Sequence, residues 1–289
     1  MFKTIVIATD LSPASNVLVE CVMGLKRLGV KKVFLTYAMG LRHFYNLESS
    51  IASKVEPFLL AQKKKLTDQG IETEIEMVPG IAAEEIRRVA EEKDASLIVI
   101  GSHGESMLEH QLGSTTSEVL HSFTRPLLLE RTRIVKKGTE TCIEPSCSDY
   151  LKNVLYVTDF SDTAHRAFNY IETMVENGCK QVTIMHVQDK TKIDKYLSDK
   201  LEEFNKIDTK RIEMLKEELK KKGATDVQMK LVYGNPTSEI LAEVASQSYS
   251  LVVMGSQGRG FIPEIFLGSV SHNIARNAGV SVLLIPALR

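Results

Sequence analysis

Short runs of β-branched and aliphatic residues alternate along this chain with longer stretches whose apolar positions recur at helical spacing. In the C-terminal half the short runs fall near 152–158, 181–187, 227–233, 250–255 and 281–286. Leu251-Val-Val-Met254 and Val282-Leu-Leu-Ile285 are apolar at every position, as expected of strands covered on both faces. Helical patterns occupy roughly 163–177, 195–222, 236–247 and 269–278. The third opens with Asn235-Pro236, a cap followed by proline at the first helical position. Five strands alternating with helices predict an α/β fold with a parallel, doubly wound sheet. The charge-rich stretch Leu197 to Lys222, apolar at Leu201, Phe204, Ile212 and Leu219, reads as a surface helix packing one stripe on that sheet.

The whole series occurs twice. Thr4-Ile-Val-Ile-Ala-Thr-Asp10-Leu-Ser matches Asn153-Val-Leu-Tyr-Val-Thr-Asp159-Phe-Ser, and Lys32–Ala38 matches Gln181–Val187. Ala95–Gly104 matches Tyr249–Gly258, and Arg125–Leu129 matches Val280–Leu284. The offset grows only from 149 to 155, so one domain is used twice, over 1–131 and 151–289. Residues 132–150, with Lys136-Lys-Gly138 and Glu144-Pro-Ser146, read as a polar linker without strand or helix periodicity.

Composition removes several function classes. Lys plus Arg number 36 against 37 Asp plus Glu, so no basic excess points to nucleic acid or an anionic membrane. Tryptophan is absent, which disfavours a base-stacking platform. No run approaches the ~20 apolar residues of a membrane span. The early apolar run, ending at Asp10, does not resemble a signal peptide. A cytoplasmic protein is expected. Cys21 and Cys179 lie in helical patterns and read as core thiols. Cys142 and Cys147 read as linker thiols, with a small disulfide or part of a metal site as alternatives.

In an open parallel sheet, ligands bind beyond the carboxyl ends of the strands where strand order reverses. The first strand of each copy is followed by an aspartate, Asp10 or Asp159. Such an acid either accepts hydrogen bonds from ribose hydroxyls or a base, or caps a turn or helix. After the fourth strand of the second copy comes Gly255-Ser-Gln-Gly258-Arg259, then Gly268-Ser269-Val270-Ser271. Glycines 255 and 258 permit unusual φ values and close backbone approach. Gly268-Ser269 opens a helix whose exposed N–H groups, with two hydroxyls, suit an anion. Arg259 can add charge. Placed beside Asp159, these parts form a phosphate cradle. Other phosphate loops, nucleophile elbows and zinc-protease motifs are absent. The seven histidines, His103, His186 and His272 among them, read as surface or turn residues.

The motif Gly-x2-Gly-x9-Gly-Ser, filled by Gly255, Gly258, Gly268 and Ser269, together with Val-Thr-Asp159-Phe-Ser, resembles the universal stress protein family. Both copies match over nearly their whole length, as in a tandem member. The resemblance implies two five-stranded sheets of order 3-2-1-4-5, similar to the adenine-nucleotide α-hydrolase-like group. It implies ATP or AMP as ligand, usually with Mg2+ or Mn2+. Asp159 and Val187 would serve the adenosine end; the glycine motif, with Val270, would hold the phosphates. It also implies an intrachain pseudo-dimer through Pro126–Glu130 and Ser281–Ile285, and a possible homodimer of chains.

The first copy departs from the motif. Gly101, Gly104, Gly113 and Ser114 are present, but eight residues rather than nine separate Gly104 from Gly113. Glu105 stands for Arg259, Thr115 for Val270 and Ala38 for Val187. Near a phosphate the charge reversal costs about 4 kcal/mol at ~4 Å, or roughly 1 when exposed. The second copy is therefore expected to bind nucleotide well and the first, through Asp10, weakly or not at all; a flexible loop would let both bind. The leading expectation is a nucleotide-binding stress or signalling protein. The alternatives are a slow ATPase using Asp159, Asp162 and Ser271, or a nucleotide-independent interaction module.

Overall fold

The computed structural model describes residues 1–40, 48–102, 112–137, 140–145, 149–196, 200–259 and 267–288. The chain divides into two compact units, Met1–Ser148 and Asp149–Arg289.

The first unit runs β1 (Thr4–Ala8), α1 (Pro13–Cys21), a 3-10 segment (Val22–Leu28), β2 (Lys32–Met39), α2 (Glu48–Thr67) and β3 (Glu72–Pro79). It continues with α3 (Ala82–Glu92), β4 (Leu97–Gly101), α4 (Ser114–Leu120), β5 (Leu127–Glu130), β6 (Thr132–Lys137) and β7 (Glu140–Pro145). The second unit runs β8 (Val154–Val157), α5 (Asp162–Glu176), β9 (Gln181–Asp189), α6 (Lys190–Tyr196), α7 (Leu201–Lys222) and β10 (Asp226–Gly234). It ends with α8 (Pro236–Ser246), β11 (Leu251–Gly255), α9 (Ser269–Asn277) and β12 (Val282–Ile285).

Parallel strands follow the order β3-β2-β1-β4-β5 in the first unit and β10-β9-β8-β11-β12 in the second. The expected α/β fold, with order 3-2-1-4-5 in each copy, is thus observed. The central strands are buried along their length, from Ile5 to Ile7 and from Leu97 to Ile100, and again from Val154 to Tyr156 and Leu251 to Val253. Covered on both faces, they have no solvent side on which to alternate polar residues. Strand order reverses between β1 and β4, and between β8 and β11. Sheets of this kind bind ligands at the carboxyl ends of such pairs.

Three local readings need correction. Residues 132–137 and 140–145 are not an irregular connector: β6 and β7 pair antiparallel, with Ile134 opposite Ile143 and Val135 opposite Cys142. The β-branched residues among the lysines and glutamates supply the strand preference. The helix expected from 195 begins at Leu201, and a separate short helix, α6, precedes it. Asp189 Oδ1 accepts from the Thr191 N–H (3.0 Å) and hydroxyl (2.6 Å), starting that turn directly off β9. Cys179 is not helical. It follows Gly178, whose φ of +104° ends the turn after α5, and its thiol is buried. Cys21 does sit in α1, its thiol donating to the Val17 carbonyl. Among the described residues no helix is long and apolar enough to cross a membrane.

Candidate functional site

The turn leaving β8 is built by its own side chains. Phe160 adopts a left-handed φ of +58°, as Leu11 does at +63° in the first unit. That conformation costs energy for a bulky residue and is held by hydrogen bonds. Thr158 Oγ1 accepts from Phe160 N–H at 3.0 Å. Asp159 Oδ1 accepts from the Ser161 N–H (3.1 Å) and hydroxyl (2.6 Å). Ser161 Oγ accepts from Ala164 N–H at 3.2 Å, capping α5. The first unit repeats this with Thr9, Asp10 and Ser12, and Ser12 caps α1. In both copies the serine is the cap and the aspartate holds the turn.

The glycine loop crosses directly to this turn. A Cβ on Gly255 would stand 2.9 Å from Thr163 Cγ2 and 3.0 Å from the Thr163 carbonyl carbon, so glycine lets β11 pass beneath the first turn of α5. A Cβ on Gly258 would run into the Asp159 carboxylate. Neither residue has a positive φ; close approach alone accounts for both glycines. Arg259 donates its N–H to Asp159 Oδ2 (2.9 Å) and its Nε to the Asp159 carbonyl (2.7 Å). The Arg259 side chain expected to face phosphate is therefore fixed at the Asp159 end.

Gly268 is the N-cap of α9 and makes no side-chain cap. Its own N–H donates to Ser256 carbonyl at 2.7 Å. Ser269 is exposed and Val270 half-buried at the start of the helix. Ser271 does not offer its hydroxyl proton to the cradle: it is buried and donates to the Gly255 carbonyl at 2.9 Å. Val187 lies two residues beyond Met185, the last β9 residue paired with β8. The β8-side edge of β9 at Val187 is thus left by the turn at Asp159.

The first unit keeps the same skeleton. Thr116 donates to the Gly101 carbonyl at 2.8 Å. Gly113 N–H donates to the Ser102 carbonyl at 3.1 Å, and Gly113 begins α4, placing Ser114 and Thr115 at its start. Ala38 lies two residues beyond Thr36, the last β2 residue paired with β1. Gly104 and Glu105 lie outside the described residues.

One buried group escaped the sequence reading. His186 is not a surface residue; it is 5% exposed inside β9. Its Nδ1 lies 2.7 Å from the Thr158 carbonyl. A carbonyl can only accept, so Nδ1 carries the proton. Its Nε2 lies 3.5 Å from Asp208 Oδ2, and that carboxylate also accepts from Gln188 Nε2 at 3.0 Å. Arg211 is 3.4 Å from Asp208 and stacks over the Phe160 ring, which itself sits 4.6 Å from the imidazole. The available signal was a histidine flanked by Met185 and Val187 near the end of a strand that is buried almost throughout.

Burial lowers the His186 pKa below its ordinary 6.5, outweighing the Thr158 carbonyl and Asp208, which raise it. The unfolded chain therefore takes up this proton first as pH falls. The stability contributed by His186 is complete above pH 6.5 and is lost as pH drops below it. Urea unfolding at about pH 7.5 and about pH 5.5 should show a smaller acid loss in His186→Gln than in the wild type. Equal losses would contradict the assignment.

Compared with known proteins, the chain matches the universal stress protein family over residues 1–131 and again over 151–286. Universal stress protein MJ0577 of Methanocaldococcus jannaschii is 31% identical over 152 residues, covering 46% of this chain and 94% of that protein. YxiE of Bacillus subtilis is 27% identical over 146 residues, covering 46% and 97%. Among solved structures, a universal stress protein from Archaeoglobus fulgidus has a TM-score of 0.76 at 25% identity. That match covers 98% of this chain and 97% of the other.

Proposed function

The chain belongs to the universal stress protein family, and from that premise we propose that its second unit binds an adenine nucleotide, ATP or AMP. The observation that carries this reading is the glycine loop at the strand-order reversal, tied to Asp159 and adjoining the uncapped start of α9. Phosphate oxygens accept from the N–H groups of Ser269 and Val270, aided by the helix dipole. The adenosine end occupies the crevice between the Asp159 turn and Val187. Among the described residues no three His, Cys, Asp or Glu side chains converge as a metal site.

The bound nucleotide acts as a stabilising or switching ligand in a stress response. At a hundredfold excess over the dissociation constant it adds about 2.7 kcal/mol to stability. Hydrolysis gains no support from two of the groups it would need. Asp159 is engaged through both carboxylate oxygens, and the Ser271 hydroxyl points at Gly255. The first unit, with its shortened motif and Glu105, binds weakly or not at all.

Calorimetric titration of the purified chain with ATP and Mg2+ tests this reading. One high-affinity site per chain is expected. Two equal sites would remove the asymmetry, and absence of binding would remove the nucleotide reading altogether.

A further inference from the structure

The His186 side chain takes over where main-chain pairing stops. Val157 is the last residue of β8 paired with either neighbour, with Met185 of β9 on one side and Met254 of β11 on the other. One more bond follows, from Thr158 N–H to the Met185 carbonyl at 2.9 Å. The Thr158 carbonyl lies beyond that register, and His186 Nδ1 donates to it at 2.7 Å. A buried carbonyl left unpaired is costly, so this bond is worth keeping. The same carbonyl shares a peptide plane with the Asp159 N–H. The imidazole thus fixes the plane from which the Asp159 turn starts.

The ring also meets the far side of that turn, its centroid 4.6 Å from that of Phe160. One side chain therefore touches the residues before and after Asp159. It is held in turn by α7: the buried Asp208 stands 3.5 Å from Nε2 and receives Gln188 Nε2 at 3.0 Å, and Arg211 lies over the Phe160 ring. The first unit has Tyr37 at the matching position, one residue past Thr36, the last β2 residue paired with β1. There α2 reaches the turn instead, Gln62 Oε1 accepting the Thr9 hydroxyl at 3.0 Å. We propose that His186 is a positioning residue for the adenosine end of the nucleotide, holding the Asp159 turn beside Val187 in the geometry that receives the nucleoside. The inference rests on the nucleotide reading above.

The test compares two amide variants of the full chain, each titrated with adenosine and with ATP by calorimetry. His186→Asn bears its amide nitrogen on Cγ, as Nδ1 is borne, and can still donate to Thr158. His186→Gln bears it one bond further out, toward Asp208, and leaves Thr158 without that donor. If the turn then holds its geometry about a tenth of the time, His186→Gln binds about tenfold more weakly. The factor should be the same for adenosine and ATP, because only the adenosine end is disturbed. His186→Asn should stay within about threefold of the wild type. In the wild type, heteronuclear NMR should show a protonated Nδ1 whose proton exchanges more slowly once adenosine is bound, a readout that needs no variant. Unchanged affinity in His186→Gln would overturn the assignment, as would equal weakening of both variants or weaker binding in His186→Asn. A loss greater for ATP than for adenosine, or an Nδ1 proton that adenosine leaves unchanged, would overturn it as well. A wild-type chain that binds neither compound would overturn the nucleotide reading and this assignment with it.

Discussion

Replacing Gly268 by leucine will weaken ATP binding by at least about a hundredfold while the chain stays folded. The reason is local. Gly268 is the N-cap of α9, half-buried, with no side chain turned back onto the first N–H groups of the helix. Those groups are the donors proposed for phosphate. A Cβ at this position meets its nearest neighbour at 3.4 Å, so alanine fits with little adjustment. A leucine side chain extends further and occupies the space over the donors. Each hydrogen bond to a charged group contributes about 1.5–3 kcal/mol, and losing two gives the stated factor. Calorimetry on Gly268→Ala and Gly268→Leu, with thermal melts as a folding control, checks this. Affinity unchanged in the leucine variant would refute the cradle.

Phe168→Ala should produce the largest loss of stability, about 3–5 kcal/mol in the second unit. The ring is 1% exposed and lies 5.5 Å from that of Tyr156. Tyr156 donates its hydroxyl to the Ala164 carbonyl at 2.7 Å, and burial holds the phenol protonated by raising its pKa. Phe168 thus supports the tyrosine that anchors the first turn of α5, the turn capped by Ser161. A typical domain has only about 5–15 kcal/mol of stability, so a loss of this size is a large share of it. Urea unfolding followed by tyrosine fluorescence measures the change. A loss below about 1 kcal/mol would mean that the cluster does not hold α5.

Much of this architecture was legible because the fold repeats. Leu251–Met254 and Val282–Ile285 read as buried strands, and their alternation with helical patterns predicted the parallel, doubly wound sheet that is observed, whereas the strand order came from the family resemblance. Asn235-Pro236 marked the start of α8, where Asn235 Oδ1 accepts from the Ser238 N–H at 3.1 Å. The β6–β7 hairpin was missed because each strand is short and diluted with charge, leaving Ile134, Val135 and Ile143 too few to set a period. The start of α7 was misplaced because the apolar stripe continues upstream into α6, whose start at the end of β9 is set by Asp189 side-chain bonds that no periodicity announces.

At the site, the sequence indicated which residues sit together but not which way they point. Glycine at 255 and 258 suggested unusual φ values and close backbone approach to a ligand; the close approach is to Thr163 and Asp159. Ser271 looked like a second hydroxyl for an anion, yet it bonds the strand end, as Thr116 does in the first unit. Arg259 and Asp159 looked like separate contributors, and they are bonded to each other. The His186–Asp208 pair was not visible, because β9 and α7 bring together residues with no motif between them.

The central claim is that the second unit, and not the first, holds the nucleotide. Photolabelling the intact chain with an azido-substituted ATP, followed by proteolysis and peptide mapping, tests it directly. The label should fall in peptides from residues 149–289 and disappear when unlabelled ATP is added in excess. Equal, competable labelling of peptides from residues 1–148 would contradict the claim.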